Sequence, residues 1–146
     1  MGLWFRHFVA PSTVHGLGLF AAEPIRQGSI LWQFDPSIDR RICLAGLTGQ
    51  QRFDTLHYGY INPQAPDLVV VCGDDARYWN FPQYGSPANA IVGAEFVHGE
   101  ALIIASHAIC PGDEMLIDPA SDADYFRKVS AESHQCRAES WPSAAG

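Results

Sequence analysis

The chain has 146 residues, with nine Lys and Arg against sixteen Asp and Glu, a net charge of −7. That balance leaves no basic stripe to neutralise phosphates, which argues against nucleic-acid binding and favours the approach of a basic peptide. A hydrophobic share of 47% against 17% charged excludes a disordered chain and is enough to close a single domain.

In chain order, Leu3–Val9 mixes Trp, Phe and Val and predicts a first strand, broken at Ser12-Thr13 and Gly16. Gly16 and Gly18 straddle Leu17 ahead of an apolar run to Ala22. This predicts a turn that delivers the chain into a strand, with backbone free of Cβ atoms that would keep a ligand away. Pro24–Gly28 reads as a turn and Ser29–Phe34 as a second strand with Trp32 facing inward. Asp35, Asp39, Arg40 and Arg41 read as a solvated charged bend.

Thr48-Gly49-Gln50-Gln51 has the pattern of a capping box, and Phe53, Leu56 and His57 follow at helical spacing. A short helix is predicted over 49–57, with Tyr58 and Tyr60 at its exit, more simply core aromatics than channel walls. Leu68–Cys72 is wholly apolar and β-branched in its middle, the pattern of a buried strand. It leads into DDARYWNFPQYGSPANA, Asp74–Ala90, where Pro82, Gly85 and Pro87 forbid a continuous helix and Asn80 and Asn89 offer amides from a looped backbone. Asn89–Phe96 and Ala101–Ala105 form a predicted hairpin across His98-Gly99-Glu100. Cys110–Asp113 is a turn, Glu114–Asp118 a last strand, and Asp122–Glu132 a short amphipathic helix through Tyr125, Phe126 and Val129. The tail to Gly146 reads as frayed, with Trp141 as its anchor.

Three motifs in this order carry a family resemblance: Gly16-Leu17-Gly18-Leu19-Phe20, Arg77-Tyr78-Trp79-Asn80, and Gly112-Asp113-Glu114-Met115. Together they resemble the SET domain, the β-rich fold of most protein-lysine methyltransferases, over about residues 5–120. The resemblance implies a mainly β fold of several short curved sheets with a C-terminal pseudoknot, a short insert helix and a short C-terminal helix. It implies one domain over 1–146, with 121–146 as a flank. It also implies S-adenosylmethionine as cofactor, held by the backbone of Gly16, Leu17 and Gly18, by the Asn80 amide, and by the backbone of Phe81. Methyl transfer to a lysine of a protein substrate follows as the expected activity.

Three positions depart from the family pattern. Phe81 stands where the family has His, Pro87-Ala88-Asn89 replaces Pro-Asn, and Pro119 replaces the Tyr that follows Asp118. Proline carries no hydroxyl, so Tyr60 and Tyr125 are the leading substitutes, with Tyr58 and Tyr84 behind them. A module that binds cofactor or a partner without turnover is the alternative.

Cys43, Cys72, Cys110 and Cys136 show no C-x-x-C spacing, no post-SET cysteine cluster and no secretory leader, which favours a reduced, cytoplasmic setting. No apolar run suits a membrane span, and neither H-x-x-x-H nor G-x-S-x-G occurs, so no metal site and no hydrolase are expected. Glu114, a lone carboxylate on a strand after a turn, reads as solvated.

Overall fold

The structure, a computed structural model, describes residues 2–83, 85–125, 127 and 128. It is mainly β, built on three small antiparallel sheets. Strands β1 (His7–Pro11) and β2 (Leu17–Ala21) form a hairpin in which Val9 faces Leu19 and the Phe8 and Phe20 rings stack at 5.2 Å. In the second sheet β8 (Glu100–Ala105) is flanked by β3 (Ile30–Trp32) and β7 (Ala90–Val97). In the third, β6 (Leu68–Val71) lies between β4 (Arg40–Cys43) and β5 (Gly59–Ile61).

The core follows from these pairings. Leu19, Leu31, Trp32, Val70, Ile103 and Met115 interlock with almost no exposure, drawing on all three sheets and on the segment after β8. A satellite cluster of Leu56, Ile61 and Val69 seats the one α-helix given bounds, α1 (Gly49–Tyr58), on β5 and β6.

Several expectations require correction. Residues 2–4 do not continue into β1 but run beside β3, where Trp4 N donates to the Leu31 carbonyl and Gln33 N to that of Gly2. Thr48 caps α1 in extended conformation without a side-chain hydrogen bond, and Gln50 instead donates to Asp54 one turn on. The charged bend is solvated at Arg40 and Arg41 but not at Asp39. Asp39 is buried, accepting from the amides of Asp35 and Gly73, and burial raises its carboxyl above the ordinary value. Arg40 and Arg41 open strand β4, because the apolar β6 satisfies both of its edges with short strands.

Residues 114–118 are not a continuous strand. They make single bridges: Glu114 antiparallel to Phe20, Leu116 parallel to Asn80, and Ile117 parallel to Ala90. The segment therefore hydrogen-bonds to both ends of the 81–89 loop, Ile117 N to Asn80 O and Asp118 N to Ala90 O, which is the closure of a pseudoknot. Asn89 locks it, donating to Glu114 O and accepting from Leu116 N, both at 2.8 Å. Tyr125, Arg127 and Lys128 are helical. The helix predicted from Asp122 does not start there: Asp122 is irregular, and Ala123 and Asp124 form a turn. Phe126, residues 129–132 of that prediction, Cys136, Trp141 and Tyr84 lie outside the described residues.

Candidate functional site

The hairpin turn, the mid-chain loop and the threaded segment converge at one carboxylate. The turn is shaped by Ser12, whose Oγ accepts from Val14 N at 2.9 Å and donates to Glu114. Gly16 takes a φ of 47° that glycine adopts without strain. Gly18 has a different reason to lack a side chain: a Cβ there would lie 2.6 Å from Glu114 Oε2 and 3.0 Å from Ser12 Cβ. Glu114 is thus not a solvated acid but the joint between β2 and the loop.

Asn80, nearly buried, completes the joint. Its Nδ2 lies 3.0 Å from His15 O, 3.1 Å from Leu17 O and 2.9 Å from Glu114 Oε2. Two N–H groups face three acceptors, so this corner is rich in acceptor capacity. Gly16, Leu17, Asn80 and Phe81 all line a cavity of about 920 Å³. Gly18 does not line it.

The same cavity receives both leading tyrosines. Tyr60 donates its hydroxyl to Glu100 at 2.7 Å. Burial first, and that hydrogen bond second, push the phenol far above its ordinary range, so it stays a neutral donor. Glu100 is 2% exposed and also accepts from Asn62 Nδ2 and from Arg41 Nε, whose guanidinium sits 4.2 Å over the Phe34 ring. Sequence reasoning placed Glu100 in a hairpin turn and missed it. An acid directly after His98-Gly99 carries no local signal of burial. Tyr125 meets Phe81 edge-on at 4.8 Å between ring centroids, and half-exposed Tyr58 stands at the cavity's rim.

A second buried acid, Asp122, was also missed. Its Oδ1 accepts from Ile61 N and Asp124 N, and its Oδ2 from Lys128 Nζ. Among the described residues no three His, Cys, Asp or Glu side chains gather to hold a metal ion, and no helix is long and apolar enough to cross a membrane.

No family model and no curated protein matches the sequence. Solved structures do. A Plasmodium falciparum protein assigned as a histone methyltransferase superposes with a TM-score of 0.57 at 19% identity, over 79% of this chain and 93% of that one. The methyltransferase domain of human PR domain-containing protein 2 gives 0.55 at 18% identity, over 80% and 78%. The chain folds as a SET domain. Chaetomium thermophilum Polycomb Repressive Complex 2, in a structure bound to S-adenosylmethionine, gives 0.62 at 20% identity over 89% of this SET domain but only 17% of that chain.

In this SET domain Pro119 begins a 3-10 turn (Pro119–Ser121), and Asp118 Oδ1 accepts from Ala120 N at 2.9 Å to hold it. Proline suits that first position because its missing N–H is not needed there. The turn brings Ala120, Ser121 and Asp122 to the cavity wall.

Proposed function

We propose that this chain transfers a methyl group from S-adenosylmethionine to a lysine side chain of a protein substrate. The observation that carries the reading is the acceptor-rich corner at Asn80, where the carbonyls of His15 and Leu17 converge on its amide and, with Phe81, line the cavity. Such a corner fits the ammonium end of the cofactor, and the cavity of about 920 Å³ is large enough for it. When bound, the cofactor supplies a sulfonium methyl to an attacking amine.

The chain's residues then divide the work. Asn80 and the Gly16 turn hold, Phe81 and Tyr125 offer apolar ring surface, and Tyr60, fixed on Glu100, walls the cavity as a neutral donor. Alignment is most of what such a displacement needs from a protein. The loss of a hydroxyl at Pro119 predicts weak turnover, on the order of 10²–10⁴ below a site with a positioned acid-base group. A module that binds without turnover is the second reading, favoured by Pro119 and by the commitment of the Tyr60 hydroxyl to Glu100.

The net charge of −7 supports a basic peptide as partner, with association slowing as salt rises. A cytoplasmic setting belongs to the same proposal. Calorimetric titration with S-adenosylmethionine tests the cofactor. Asn80→Ala should weaken binding by about 1–3 kcal/mol, and an unchanged dissociation constant in the folded variant removes Asn80 from the site. Radiolabelled transfer to basic proteins, compared with Tyr60→Phe and Tyr125→Phe, tests turnover. Tight cofactor binding with no transfer decides for the second reading.

A further inference from the structure

Lys128 is the only lysine in a sequence with eight arginines, and it lines the cavity. Its Nζ lies 2.5 Å from Asp122 Oδ2 and 2.5 Å from the carbonyl of Gly59. The lysine side chain is 12% exposed and the Asp122 side chain 1%. A carboxylate and a backbone carbonyl around one nitrogen suit a primary ammonium, whose three N–H donors spread tetrahedrally, and suit a planar guanidinium less well.

The position of this pair in the fold is tied to the site. Tyr125, three residues before Lys128 and so on the same helical face, packs edge-on against Phe81. Gly59 begins β5 and precedes Tyr60, whose ring lines the cavity. Asp122 Oδ1 is held by the amides of Ile61 and Asp124, which fixes the carboxylate and turns Oδ2 toward the lysine. The acceptor pair is therefore built by the backbone and does not depend on Lys128 for its shape.

We propose that Asp122 Oδ2 and Gly59 O form a primary-ammonium binding site on the cavity wall, which Lys128 fills from within and which the lysine amine of a partner enters by displacing it. The identity of that amine as a substrate's rests on the methyl-transfer reading; the ammonium site itself does not. Lys128 thus acts as an internal competitor, and its removal opens the site.

The test uses n-butylammonium as the probe, in the absence of any cofactor. Lys128→Ala leaves the Asp122 carboxylate unpaired and lowers the urea midpoint, and n-butylammonium restores it while isosteric n-butanol does not. If the variant does not fold alone, refolding yield with each additive gives the same comparison. In the wild type, Lys128 labelled at Nζ gives the chain's single lysine signal. Titration with a lysine-bearing basic peptide should move that signal to the position of a solvated lysine. Lys128→Ala should bind the peptide about tenfold more tightly, equivalent to about 1.4 kcal/mol. Equal rescue by butanol, no rescue, or a lysine signal unmoved by bound peptide would each overturn the proposal. Calorimetry with S-adenosylmethionine is a separate measurement, so loss of the methyl-transfer reading would be seen independently.

Discussion

Substituting Gly18 by Ala probes the joint on which the site is built. The new Cβ would lie 2.6 Å from Glu114 Oε2, whereas carbon and oxygen ordinarily approach to about 3.3 Å. The carboxylate must retreat by about 0.7 Å, which disturbs its hydrogen bonds to Ser12 Oγ and to Asn80 Nδ2. A carboxylate end is flexible, but this one is pinned by Ser12 and Asn80 together. Losing one bond to a charged group costs about 1.5–3 kcal/mol, and crowding of Ser12 Cβ at 3.0 Å adds a share of the usual overpacking penalty.

The expected destabilisation is about 2–4 kcal/mol, against a typical total of about 5–15. Urea unfolding should show it as a lower midpoint at unchanged slope. The decisive measurement is a double-mutant cycle with Glu114→Ala. With the carboxylate gone, Gly18→Ala should cost only the Ser12 crowding, giving a coupling of about 1–3 kcal/mol. Equal costs in the two backgrounds would refute the idea that Gly18 is glycine for the sake of Glu114.

Three further outcomes are expected. Gly73→Ala would place a Cβ 2.0 Å from the backbone carbonyl oxygen of Ile38; with no flexible side chain to yield, the loss should exceed about 3 kcal/mol, read by thermal unfolding. Asn89→Ala strands Glu114 O and Leu116 N; it should cost about 2–6 kcal/mol at about 1–3 per stranded group, and speed hydrogen exchange at Leu116 before the core strands. Tyr60 has a raised phenol pKa in the fold, so its share of stability is present below the unfolded value of about 10 and is lost as pH rises above it. Tyr60→Phe should therefore flatten the alkaline fall in stability, and at neutral pH cost about 0.5–1.5 kcal/mol, because Glu100 keeps Arg41 and Asn62.

Much of the local architecture was legible from neighbouring residues. The apolar run at 68–72 became β6, the helical spacing of Phe53, Leu56 and His57 became α1, and the Gly16 turn leads into β2 as its glycines suggested. These elements are decided within a few residues, by side-chain periodicity and by backbone conformations that only certain residues accept. The motif order also pointed to the SET fold, and residues from the three motifs, Leu17 and Gly18, Asn80, and Glu114, meet at one joint.

What the tertiary structure alone decided is where charges go. Glu100 and Asp122 have partners 40 and 61 residues away, at Tyr60 and Ile61, and nothing beside either acid in the chain marks it as buried. β4 and β5 have only four and three residues and exist as strands because β6 must satisfy its backbone on both edges. Residues 114–118 reverse the case: their local pattern predicts a strand, yet threading past the 81–89 loop breaks the ladder into single bridges. A buried charge or an unpaired backbone group is costly wherever it arises in the chain. Its remedy is whatever group the fold brings near, a choice made by packing rather than by local sequence.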